Sequence, residues 1–100
     1  MNIKKLDKTI LGVGEVKGFL FTQIKESDNG YIYQVDTEQS IHFELFKKKT
    51  TPVCVDFSNR IYSTTESKEQ YPKSSDFGVW AWSYDSLVKA ERKFSILNSL

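Results

Sequence analysis

His42 is the one histidine and Cys54 the one cysteine in the 100-residue chain. A metal site or a nucleophilic centre would have to start from these two. Structural zinc needs four ligands and catalytic zinc three, so His42 and Cys54 fall short even when combined. A lone cysteine forms no internal disulfide, which suits a reducing compartment. Its place in an alternating pattern reads as a buried structural thiol. The serines offer hydroxyls, but no glycine-flanked nucleophile turn accompanies them. Gly12-Val13-Gly14-Glu15-Val16-Lys17-Gly18 is glycine-rich without phosphate-loop spacing, and it precedes a strand pattern rather than following one. Asp76-Phe77-Gly78 matches one kinase tripeptide, in a chain too short for a kinase. No catalytic, metal-ligating or cofactor-binding residue is assigned, and an enzyme is not expected.

The remaining chemistry is that of contact. Lys47, Lys48 and Lys49 form a short basic run, which reads either as a solubilising strand end or as half of a single-stranded nucleic-acid site. The other half would be the aromatic stripe of Tyr31, Tyr33, Trp80 and Trp82. Two tryptophans two residues apart seldom both bury fully, and Trp and Tyr dominate interface hot spots. The candidate binding residues are therefore Lys47, Lys48, Lys49, Tyr71, Trp80 and Trp82.

These residues need elements to position them. In Phe77–Tyr84 the alternation puts Trp80, Trp82 and Tyr84 on one face of a strand, with Val79, Ala81 and Ser83 on the other. The period then lengthens: Leu87, Ala90, Phe94 and Leu97 predict a helix over about 86–97. Ser83 or Asp85 would cap it, and Asp85 would pair with Lys89. Upstream, Val16–Ile24, Tyr31–Thr37 and Ile41–Lys48 read as a three-stranded meander. Asn29-Gly30 would supply positive φ angles to the first hairpin turn. Val53–Phe57 adds a fourth strand. Residues 1–15 read as an irregular lead-in, and 59–75 as a long loop tethered by Tyr62 and Tyr71. The expected fold is α+β: a four- or five-stranded, mainly antiparallel sheet with the C-terminal helix packed on one face.

Composition narrows the classes further. The formal charge is +1 and aromatics make up 14% of the chain. Near-neutrality excludes a strongly acidic DNA mimic and gives no general attraction to nucleic acid. No apolar run reaches the roughly 18–20 residues of a membrane span. The N-terminal residues lack a signal-peptide core, so the expected location is cytoplasmic. One domain is expected from the length.

The run Tyr71-Pro72-Lys73-Ser74, Asp76-Phe77-Gly78-Val79-Trp80-Ala81-Trp82-Ser83-Tyr84, Ser86-Leu87, Lys89-Ala90 and Lys93-Phe94 resembles small uncharacterised proteins encoded by bacteriophages and mobile elements of gut-type bacteria. His42-Phe43-Glu44-Leu45-Phe46-Lys47 and Gly18-Phe19-Leu20-Phe21 look similar as well. The resemblance spans about residues 14–97 and centres on Phe-Gly-x-Trp-Ala-Trp. It implies a phage-associated context, in the host cytoplasm, and no activity or catalytic residues. The expectation is a non-enzymatic binding protein acting on a phage or host protein, for example as an inhibitor of a host defence protein. The alternative is a single-stranded nucleic-acid-binding protein. A small-ligand site would need a pocket of about 300–1,000 Å³, with 59–75 as its lid. A free sheet edge suits either a monomer or a homodimer.

Overall fold

The computed structural model describes residues 2–56 and 58–98. In chain order the strands are β1 (Asn2–Lys4), β2 (Thr9–Leu11), β3 (Leu20–Glu26), β4 (Gly30–Asp36), β5 (Ile41–Lys47), β6 (Thr50–Asp56), β7 (Ile61–Glu69) and β8 (Ala81–Tyr84), followed by helix α1 (Leu87–Asn98). The fold is α+β. The described residues fall into two compact units, a larger one of 7–47 with 72–98 and a smaller one of 2–6 with 48–71.

The larger unit holds a five-stranded sheet in the order β2-β3-β4-β5-β8, antiparallel throughout. Strands β3, β4 and β5 form the expected meander. On one face Ile32 and Leu45 lie opposite each other and pack with Ala90, Phe94 and Leu97 of α1. Phe43, Trp82, Tyr84 and Leu87 close around that cluster. Lys93 Nζ stands 4.3 Å from the centre of the Trp82 ring, a cation–π contact that adds to the apolar packing of α1. At the helix start Asp85 pairs with Lys89 at 3.2 Å, as the four-residue spacing predicts.

The opposite face is aromatic. Tyr31, Tyr33 and Phe46 are fully buried, with ring centroids 5.7 Å apart in each pairing. The Tyr33 hydroxyl donates to the Asp7 carbonyl at 2.6 Å and accepts from Gln23 Nε2 at 3.1 Å. A buried phenol needs such partners, because an unpaired polar group costs roughly 1–3 kcal/mol.

The β3–β4 turn lies where Ser27-Asp28-Asn29-Gly30 predicts it, but for another reason. Neither Asn29 nor Gly30 has a positive φ. The Ser27 hydroxyl instead accepts from the N–H groups of Asn29 and Gly30 at 3.2 and 3.3 Å. It also donates to Asn98 Oδ1 at 2.6 Å, tying the turn to the end of α1. Gly30 is required by space: a Cβ there would lie 2.4 Å from the Phe46 carbonyl oxygen.

The smaller unit is a three-stranded mixed sheet, β1-β7-β6, with β1 parallel to β7 and β6 antiparallel to it. Four expectations are corrected here. The lead-in carries β1 and β2. The fourth strand belongs to this second sheet rather than to the meander. The segment 59–75 is chiefly the nine-residue strand β7, so it is neither a long loop nor a lid. Cys54, expected to be buried, is exposed. Buried Glu69 accepts from the Leu6 N–H at 3.0 Å, and its other oxygen lies 3.9 Å from Lys48 Nζ. That pairing accounts for a carboxylate in the interior.

At the β6–β7 turn the Asn59 side-chain amide donates to Asp56 Oδ2 at 2.8 Å. This bond, followed by that from the Asn59 backbone N–H, holds the Asp56 carboxyl below its ordinary pKa. A depressed folded-state pKa contributes stability above the ordinary carboxylate value, and that contribution is lost as pH falls through the folded value. Asn59→Ala is expected to raise the Asp56 midpoint toward the ordinary range, as read by an NMR pH titration of its carboxyl carbon.

Candidate functional site

An open cleft of about 410 Å³ runs beside β8, lined by Glu44, Ser74, Phe77, Gly78, Trp82, Ser83 and Tyr84. It belongs wholly to the larger unit. Strand β8 is the edge of the five-stranded sheet, so only one of its sides is taken by β5. The chain reaches it through a turn in which Gly78 adopts φ 91°, a conformation open to glycine at no steric cost. That turn lays Phe77 beside Ala81 on the outer side of the strand.

The direction of the β8 amides follows from the ladder. The Lys47 N–H donates to the Trp80 carbonyl at 3.0 Å. An antiparallel ladder alternates from there. Trp82 and Tyr84, opposite Leu45 and Phe43, turn their N–H and C=O groups toward β5. Ala81 and Ser83 turn theirs outward. The Ala81 carbonyl is taken by the Gly78 N–H at 2.7 Å. Ser83 is left presenting one donor and one acceptor to the cleft.

Glu44 lies opposite Ser83 in the ladder, so their side chains share a face. The Glu44 carboxylate meets His42 Nε2 at 2.9 Å, and its side chain is only 15% exposed. The arrangement does not form a nucleophile and base: His42 spends Nε2 on Glu44, and no hydrogen bond links Ser83 to His42. Among the described residues, no group of three or more His, Cys, Asp and Glu side chains is placed to hold a metal ion.

The six candidate residues are scattered by the fold. Trp82 lines the cleft. Trp80 does not sit on the strand face with Trp82 and Tyr84. It belongs to the turn before β8, is 5% exposed, and meets Phe46 edge-on at 6.2 Å on the aromatic face. The supposed stripe of Tyr31, Tyr33, Trp80 and Trp82 is therefore split between two faces. The three lysines are not one free cationic run either. Lys48 is half-buried against Glu69, while Lys47 and Lys49 are exposed. Tyr71 is half-buried in the smaller unit. Glu44, Ser74 and Ser83 were not anticipated. Phe77 and Gly78 carried a signal in the Phe-Gly-x-Trp-Ala-Trp segment and Tyr84 in the strand alternation that follows it, though none as site residues.

Compared with protein-family models, with curated proteins and with solved structures, the chain matches none. No helix among the described residues is long and apolar enough to cross a membrane.

Proposed function

We propose that this chain is a non-enzymatic binding protein that acts by protein–protein contact, with the cleft beside β8 as its contact site. The observation that carries this reading is the edge itself: an outward-facing amide and carbonyl at Ser83, flanked by Phe77, Trp82 and Tyr84. Small-molecule sites typically enclose 70–90% of their ligand. An open-sided cleft along a strand edge suits a polypeptide surface better. The resemblance to phage-encoded proteins makes the proposed partner a phage or host protein, a host defence protein being one instance. Single-stranded nucleic acid is the less favoured partner, because Lys48 lies against Glu69 rather than standing free.

The test uses a photo-crosslinking residue at either of two exposed positions in the full chain. Val79, beside the cleft, is 71% exposed, and Val88 on α1 is 58% exposed. In host lysate the Val79 probe is expected to form a discrete protein adduct that the Val88 probe does not. Adducts from Val88 alone, or equally from both, contradict the reading.

A further inference from the structure

The other edge of the five-stranded sheet is β2, whose backbone groups alternate as those of β8 do. The Gln23 N–H donates to the Lys8 carbonyl at 2.7 Å, and the Gly12 N–H to the Phe19 carbonyl at 2.8 Å. Ile10, midway between Lys8 and Gly12 and opposite Phe21, therefore turns its N–H and C=O toward β3. Thr9 and Leu11 turn theirs outward, and among the described residues no partner meets those four groups. Independently of the cleft beside β8, we propose that this edge pairs with β2 of a second copy of the chain. The pairing is antiparallel, in the register that sets Ile10 opposite the partner's Ile10.

Self-complementarity carries the choice of occupant. The outward groups lie symmetrically about Ile10. A two-fold axis there sets Thr9 opposite the partner's Leu11 and Leu11 opposite the partner's Thr9. Each pair exchanges two hydrogen bonds, so all four outward groups of each chain are satisfied. The side chains follow the same symmetry. Ile10 shares a face with Phe21 and Val35, and the pairing continues that apolar row across the axis. On the other face Leu11 lies beside Leu20 and meets the partner's Leu11 on the diagonal. Leu11 and Val13 are 75% and 78% exposed, the two highest values among the large apolar side chains described. Lys8 falls opposite the partner's Gly12, so no like charges are opposed. The other edges are guarded. In the smaller sheet β1 carries Lys4, and β6 carries Pro52 and two register shifts. At β8 the Gly78 turn occupies the Ala81 carbonyl. Lysine, proline, bulges and a covering loop are devices that keep edges from pairing, and Thr9–Leu11 has none of them. A ladder this short covers less than the roughly 1,200 Å² of a stable interface, so the dimer is weak and reversible.

Sedimentation of the full chain tests the association. The average mass is expected to rise from one chain toward two as the concentration is raised to about 1 mM, where even a weak interface is half formed. Leu11→Lys, at an exposed position, should keep the native circular dichroism and weaken the dimer about tenfold or more, since it sets two cations diagonally across the axis. Register is read by disulfide formation in a Cys54→Ser background, which removes the one native thiol. Ile10→Cys places two Cα atoms about 4.5 Å apart, within the range a disulfide spans. Val13→Cys leaves its pair about 20 Å apart along the ladder, although its thiol is the more exposed. On air oxidation Ile10→Cys is expected to yield linked dimer and Val13→Cys is not. A single-chain mass at every concentration overturns the proposal. So does a dimer that Leu11→Lys leaves intact, or an Ile10→Cys chain that links no more readily than Val13→Cys. Should Leu11→Lys lose the native fold, the two cysteine variants decide alone.

Discussion

Phe46→Ala is expected to destabilise the larger unit by about 4 kcal/mol, the middle of the range for removing a buried aromatic. The ring is fully buried at the centre of the aromatic face. It stacks on Tyr33 with an interplanar angle of 16°, tilts against Tyr31, and receives Trp80 edge-on. Each such pairing contributes roughly 0.5–1.5 kcal/mol beyond the area it buries. The loss would also release Trp80, whose turn leads into β8, so the cleft should loosen with the core. Denaturant unfolding monitored by tryptophan fluorescence checks the value. Val88→Ala, on the exposed side of α1, serves as the control and should stay within about 0.5 kcal/mol of the parent. Near-equal stabilities for the two variants would contradict the packing described for Phe46.

Gly30→Ala is the second large effect. Alanine is normally the mildest replacement for glycine, and where the backbone permits it the exchange stabilises by about 0.4–1 kcal/mol. Here the added Cβ would sit 2.4 Å from the Phe46 carbonyl oxygen and 3.3 Å from its carbonyl carbon. Both are backbone atoms of the paired strand, with no flexible side chain to yield. Relief requires β4 and β5 to part at the Gly30–Lys47 end of their ladder. Overpacking typically costs 1–3 kcal/mol, and the upper end, about 3 kcal/mol, applies where only backbone can move. Thermal unfolding should show Tm lowered by roughly 10–20 °C. A Tm unchanged or raised would mean that the strands do not approach so closely at Gly30.

The parts legible from sequence were those set by local periodicity. Leu87, Ala90, Phe94 and Leu97 define the buried stripe of α1, and the hairpin positions of β3, β4 and β5 follow from alternation broken by turn residues. Strand β7 was hidden because Ile61–Glu69 is rich in hydroxyl and charged side chains. It becomes a strand by pairing with β1, about 60 residues away, and with β6. No local window contains that information. Trp80 and Trp82 were assigned to one face because alternation was extended one residue too far, into a turn made possible by Gly78. The site was hidden for a related reason. Glu44 and Ser83 are ordinary residues in isolation, and only the β5–β8 register sets them side by side. The basic run misled in the other direction: three consecutive lysines read as a patch until the fold supplies Lys48 with Glu69.

Backbone amide exchange of the free chain tests the outward edge at Ser83 most directly. Trp82 and Tyr84 amides bonded to β5 should exchange slowly, while the Ser83 amide should exchange about 100-fold faster or more, and binding of the partner should slow it. A Ser83 amide as protected in the free chain as that of Trp82 would contradict the open edge, and with it the binding site built upon it.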